Sequence, residues 1–186
     1  NNETGQKGAR LWKLEDMGYN VPKFNIIEFD LIKNWISRTD ALKLISEYFK
    51  ESLKNTDLEH LAHKYHEKIK EELKKNISKE IKKWFNKNLH KLNFPISIRS
   101  SANIEDSINS NMAGVFTTII NVEKENFVQA AIEVIASLFK EEVLLNYKDS
   151  IPKLKQSLVL QEMVLKPKFS GTIFLKSIND PNTIVI

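Results

Sequence analysis

The sequence predicts an α+β fold, and three observations carry the prediction. Helical and strand-like segments are segregated along the chain more than alternated, with a long helical middle between strand-rich ends. Apolar residues make up 41% and charged residues 28% of the 186 residues, which is enough to bury a genuine core. Glycine and proline number only 5 each, too few for a collagen-like, low-complexity or disordered chain.

The elements follow in order. Gly5-Gln6-Lys7-Gly8-Ala9 leads into a short helix with Leu11, Trp12 and Leu14 inside, and Gly18 closes it because glycine accepts the left-handed conformation that ends many helices. Val21-Pro22 then introduces Phe24-Asn25-Ile26-Ile27 as a short strand. From Asp30 to about Leu92 nearly everything reads as helix: Ala41, Leu42, Ile45, Tyr48, Phe49 and Leu53 mark one amphipathic stripe, and Leu58, Leu61, Ala62, Tyr65, Ile69 and Leu73 mark another. Ile81, Trp84, Phe85 and Leu89 continue that pattern.

Pro95 stops the helices, and Ile96-Ser97-Ile98-Arg99 alternates apolar with polar as a half-buried strand does. A polar loop is expected from Ser100 to Asn111, followed by a β-branched and aromatic strand from Val115 to Ile120. Phe127, Ala130, Ala131, Val134, Leu138 and Phe139 repeat at helical spacing behind a cap at Asn126. The end returns to strands at Leu158–Val164, Gly171–Leu175 and Thr183–Ile186. No internal repeat and no Gly-, Ser- or Pro-rich linker divides the chain.

Composition excludes several chemistries. With no cysteine there can be no disulfide, thiolate nucleophile, thiolate zinc site or iron–sulfur cluster, and a reducing cytoplasm is the expected location. No apolar run reaches the ~18–20 residues needed to span a bilayer, so no membrane partner is expected. Asn1 at one end and the β-branched Thr183–Ile186 at the other read as cuts, and the chain is expected to be part of a longer polypeptide.

The net charge of +4 is concentrated between Lys64 and Lys91, where ten lysines face four glutamates. Such a run could grip a phosphate backbone or another anionic partner. The lysines alternate with an apolar stripe containing Trp84 and Phe85, so the preferred reading is a solvated helix face and nucleic acid is not the expected partner.

Lys7, with Gly5 and Gly8 close by on either side, could offer an ammonium to an anion that the backbone approaches closely, although the Walker A spacing is absent. Arg99, at the end of a strand and followed by Ser100 and Ser101, could hold phosphate oxygens through parallel hydrogen bonds, or else pair with Glu105 or Asp106. His60, His63 and His66 lie at intervals of three without the H-E-x-x-H pattern of a zinc site, and solvated or capping roles are preferred for them. No G-x-S-x-G supports a serine hydrolase.

In order along the chain, these pieces resemble the N-terminal ATP-binding, ATP-grasp-like domain of phosphoenolpyruvate synthase, pyruvate phosphate dikinase, rifampin phosphotransferase and glucan water dikinase. Gly5–Leu11 is similar to that family's G-G-K-G-A-x-L, with Gln6 replacing the second glycine. Ile98–Asp106 is similar to V-R-S-S-A-x-x-E-D, Ala113-Gly114 and Thr118 follow at the family's spacing, and Gln161-Glu162-Met163-Val164 with Ser170-Gly171 resembles V-Q-x-M-V…S-G. Leu175 departs from the family's usual threonine.

The resemblance implies an ATP-grasp-like N-terminal lobe over residues 1–186, with a mixed, largely antiparallel sheet and a helix-rich insertion at about 30–94. It implies that Lys7 contacts ATP phosphates, that Arg99 binds the transferring phosphoryl group, and that Gly114 and Thr118 lie in the loop over the phosphates. Gln161, Glu162, Met163 and Val164 would form the hinge that reads adenine through its backbone, while Ser100, Ser101, Glu105 and Asp106 would support Arg99. Mg2+ would accompany ATP, with ligands expected beyond residue 186. In the family, ATP phosphorylates a histidine on a mobile domain that serves a separate acceptor domain. The expected function is therefore the ATP-binding part of a phosphotransferase, with this fragment inactive alone. The alternative is a non-catalytic binding or regulatory module with a lysine-rich surface.

Overall fold

A computed structural model describes residues 4–77, 79–102, 116–146 and 155–171. Helix α1 (Gly5–Asp16) is followed by strand β1 (Phe24–Ile27), then α2 (Phe29–Ile36), α3 (Ala41–Ser52), α4 (Leu58–Lys75) and α5 (Lys79–Asn88). Strands β2 (Ile96–Ala102) and β3 (Thr118–Val122) come next, then α6 (Phe127–Ala136), α7 (Glu141–Asn146) and β4 (Gln156–Glu162). The architecture is α+β, as the segregation of elements predicts.

The strands form one sheet in the order β1-β4-β2-β3, and every pairing among them is antiparallel. The longest register joins β2 to β4, from Ile96 opposite Glu162 to Ala102 opposite Gln156. Side chains alternate across a strand, so Ile96, Ile98, Ser100 and Ala102 share one face of β2 while Ser97, Arg99 and Ser101 share the other. The first face meets α6 and the second meets α1.

The helical layer is built by the expected stripes. Leu61, Ala62, Tyr65, Ile69 and Leu73 of α4 are buried, and α4 packs against α3, α6 and α7. Asp57 caps α4 by accepting a hydrogen bond from the His60 amide at 3.0 Å. Buried Trp35 of α2 donates its indole N–H to the Asn76 carbonyl at 2.6 Å, tying α2 to the end of that helix. Phe85 meets Phe127 edge-on at 4.6 Å between centroids, which joins α5 to α6.

The structure corrects several local expectations. Ser100 to Ala102 are not loop but the end of β2, because their hydroxyls and backbone are satisfied inside the sheet. Asn126 stands at the start of α6, yet its side chain makes no capping bond, since a 3-10 turn over Lys124–Asn126 feeds the helix directly. Helix α7 had no apolar period long enough to announce it. His66 is buried, not solvated, with Nδ1 3.0 Å from the Phe139 carbonyl, and His63 Nδ1 lies 2.7 Å from Glu141 Oε1. Both histidines join α4 to the segment around α7.

Gly18 behaves as expected. At φ +83 it follows α1, donating to the Glu15 carbonyl while Tyr19 donates to that of Leu14, the paired bonds of a Schellman closure. Of the expected strands at Gly171–Leu175 and Thr183–Ile186, all but Gly171 lie outside the described residues.

The lysine-rich surface is partly neutralised from within. Lys70 reaches Glu133 at 3.0 Å and Glu67 at 3.7 Å, Lys64 reaches Glu51 at 3.3 Å, and Lys74 reaches Glu71 at 3.1 Å. The Glu133 hydrogen bond holds the Lys70 ammonium above its ordinary pKa. Burial, helped by the hydrogen bond to Glu51, pushes the Tyr65 phenol up to about 12. Among the described residues no helix is long and apolar enough to cross a membrane.

Candidate functional site

Six of the seven residues of β2 are buried, and the exception is Arg99. A guanidinium is costly to desolvate without a partner charge, and Arg99, midway along this interior strand, is only half-buried. Its cross-strand partners are Thr118 on β3 and Val159 on β4. Opposed residues on antiparallel strands project to the same face, so Arg99 and the exposed Thr118 lie side by side on the face that carries α1.

Helix α1 is fastened to that face by serines. Ser101 Oγ accepts from the Lys7 amide at 3.1 Å and the Gly8 amide at 3.4 Å, and donates to the Thr4 carbonyl at 3.1 Å. Ser157, opposite Ser101 in the register, donates to the same carbonyl at 2.6 Å. Thr4 is the N-cap residue but its own side chain makes no cap bond, so a strand hydroxyl ninety-odd residues away does the work of the cap.

This arrangement fixes the glycines. Gly5 has φ +65, and a Cβ there would stand within 2.2 Å of the Ser101 carbonyl oxygen; at Gly8 a Cβ would stand 2.7 Å from Ile26 Cδ1. Gly5 and Gly8 therefore serve the close approach of α1 to the sheet. Contrary to the expectation that they open the backbone to an anion, the Lys7 and Gly8 amides are engaged by Ser101. Lys7 Nζ donates to the Ser100 carbonyl at 2.9 Å, one residue from Arg99.

The hinge candidates sit at the other end of β4. Gln161 pairs with Phe24 and Ser97, and its Nε2 donates to the Pro22 carbonyl at 3.4 Å. The Glu162 carboxylate accepts from the Asn93 amide at 2.9 Å and from Asn93 Nδ2 at 3.1 Å. The Glu162 amide donates to Lys23 and the Met163 amide to Pro95. Val164, at 61% exposure, follows directly with its side chain open to solvent.

Lys7, Arg99, Thr118 and Gln161 are thus brought to one face of the sheet, with Lys7 and the hinge toward opposite ends of β2 and β4. Gly114, Glu105 and Asp106 lie outside the described residues. Among the described residues no group of three His, Cys, Asp or Glu could hold a metal ion. Three polar residues with structural prominence here were passed over in the sequence: Gln156, Ser157 and Ser137 are all buried. The only signal of the first two was a Gln-Ser pair opening an otherwise apolar strand.

No curated protein matches the chain significantly. The family model described as pyruvate phosphate dikinase, AMP/ATP-binding domain, matches residues 1–186, the whole of the sequence that carries this face. The chain therefore belongs to the pyruvate phosphate dikinase AMP/ATP-binding domain family.

Proposed function

We propose that this chain is the ATP-binding part of a phosphotransferase that passes a phosphoryl group from ATP to a histidine on a mobile domain, and from there to an acceptor such as pyruvate. ATP as a ligand is implied by the family. The observation that supports the reading best is the exposure pattern of β2: Arg99 alone stands out of a buried strand, with Thr118 opposite it and the Lys7 ammonium at the neighbouring carbonyl.

Phosphoryl transfer suits such a face. Its transition state is loose and spreads charge over the equatorial oxygens, so positioned cations supply most of the stabilisation. Arg99 would grip the transferring group, Lys7 the adjoining phosphates, and the Thr118 hydroxyl would reach them from the start of β3 and not from a loop, with Gly114 preceding it in the chain. From Ser101 to Ser97, the partner of Gln161, is four residues, about 13 Å of strand at ~3.3 Å per residue. That span is of the order of an extended nucleoside triphosphate. Because the amides of Glu162 and Met163 are already engaged, adenine would be read by the Glu162 carbonyl and the Val164 amide.

Mg2+ would travel with the phosphates and draw its protein ligands from beyond residue 186. There it would neutralise charge on the phosphate oxygens. Phosphohistidine and acceptor domains of a longer polypeptide complete the proposal, and a cytoplasmic setting suits it. The rival reading, a regulatory module using the lysine-rich helices, is weakened by the pairing of Lys64, Lys70 and Lys74 with glutamates.

The test is Arg99→Ala in the full polypeptide that contains this chain. Phosphohistidine formation from ATP should be abolished while the circular dichroism spectrum is retained. Undiminished autophosphorylation would remove Arg99 from the mechanism.

A further inference from the structure

Behind Arg99 and Thr118, on the α6 side of the sheet, lies a buried polar network for which a stable core has no need. Gln156 Nε2 donates to Ser100 Oγ at 2.8 Å and to the Val134 carbonyl at 3.0 Å. Ser137 Oγ donates to the same Val134 carbonyl at 2.6 Å and accepts from the Thr117 amide at 3.2 Å. The Ser100 amide closes the circuit by donating to the Thr117 carbonyl at 3.3 Å. Ser100, Ser137 and Gln156 are each at most 1% exposed.

The network touches the residues adjacent to the two site candidates and not the candidates themselves. Ser100 follows Arg99, Thr117 precedes Thr118, and Arg99 and Thr118 are register partners. One acceptor, the carbonyl of Val134 on α6, thereby anchors both strands from the opposite face. We propose that Gln156 and Ser137 are positioning residues, which hold Arg99 and Thr118 at a fixed separation and depth for phosphoryl transfer.

Gln156 Oε1 is buried and has no hydrogen-bond partner among the described residues. A buried amide with one end unsatisfied is costly to the fold, and its other end is committed to Ser100 Oγ and the Val134 carbonyl. A residue that burdens the core while locking the backbone beside Arg99 fits a requirement for alignment. Misplacement of a phosphate-gripping group by a fraction of an ångström is enough to slow transfer even when binding is unaffected.

This inference rests on the proposed role of Arg99, and the experiment separates the two. In the full polypeptide, Gln156→Met and Ser137→Ala are compared with Arg99→Lys and Arg99→Ala for three quantities: thermal midpoint, ATP dissociation constant, and phosphohistidine formation rate at saturating Mg·ATP. Gln156→Met should lower the midpoint only modestly, leave the dissociation constant unchanged, and lower the rate per folded molecule by about tenfold or more. Ser137→Ala should lower the rate in the same manner. In the Arg99→Lys background the effect of Gln156→Met should shrink, since both changes act on one alignment.

Wild-type rates in Gln156→Met and Ser137→Ala beside an inactive Arg99→Ala would overturn the positioning role and leave the proposed function standing. Rates that fall only in proportion to lost folded protein or lost ATP affinity would overturn it as well. A fully active Arg99→Ala would remove both proposals together. Should Gln156→Met fail to fold, Ser137→Ala decides alone.

Discussion

The two faces of the sheet are held by opposite physics. On one, α6 and the helices behind it bury Phe85, Phe127, Ala131, Val134 and Ile135 against Ile96, Ile98, Leu158 and Leu160, a contact that any well-shaped apolar set could make. On the other, α1 is only 12 residues long with Gly8 as its one buried residue, and it is held by serine hydroxyls and by the absence of two Cβ atoms. Outside the Gln156–Ser137 network, the first attachment supplies stability and tolerates exchange. The second supplies position: hydrogen bonds are directional, and the close approach leaves no space for adjustment.

That contrast can be broken at either face, and the largest effect on stability should come from the apolar one. Phe85→Ala removes the edge-on partner of Phe127 and should destabilise the chain by about 3–5 kcal/mol in urea unfolding. ATP affinity of the molecules that remain folded should not change. An altered affinity would mean that the two faces are coupled more tightly than their chemistry implies.

Gly5→Ala attacks the polar face. Positive φ and a clash with the backbone oxygen of Ser101 should together cost about 3 kcal/mol, and the displaced α1 should carry Lys7 away from Ser100. Gly8→Ala meets only the flexible end of Ile26 at its closest approach and should cost less. Equal losses from the two substitutions, measured by thermal unfolding, would contradict the geometry of the helix start.

Ser101→Ala sharpens the comparison further. It strips the acceptor from two α1 amides and a donor from the Thr4 carbonyl, for an expected loss of about 1–3 kcal/mol. Isothermal titration with ATP should show weakened binding in this variant, in contrast to Phe85→Ala.

The smallest effect belongs to the surface ties of the helical layer. Burial tends to raise the Glu141 pKa, but a backbone hydrogen bond and His63 outweigh it, and the carboxyl lies below its ordinary 4.5. A depressed carboxylate contributes stability that is fully present above the unfolded value and disappears as pH falls through the folded one. Glu141→Gln should therefore lower the unfolding free energy by no more than about 1 kcal/mol at pH 6, with the difference vanishing in the acid range below 4.5. A difference that persisted at pH 3 would assign the effect to packing instead.

Much of the fold was legible because periodicity is local. The stripes of α3, α4 and α6, the short β1 and the Gly18 closure all follow from side-chain spacing that the chain carries regardless of its partners. The Ser100–Ala102 end of β2 was not legible, since serine favours loops until distant groups satisfy its hydroxyl; those groups, Gln156 and Thr4, come from elsewhere in the chain. His66 misled for the same reason, its partner being a carbonyl on the far side of the helical layer.

The sequence by itself determined the class of fold, the family, and the candidates Lys7, Arg99, Thr118 and Gln161–Val164, because ordered motifs and residue chemistry survive in one dimension. Only the tertiary structure decided that Lys7, Arg99 and Thr118 share a face, that Gly5 and Gly8 are spent on packing, and that Gln156 and Ser137 meet at the Val134 carbonyl on the opposite face. The physical reason is that strand register and hydrogen-bond satisfaction are pairwise properties. They exist only once residues far apart in sequence have met.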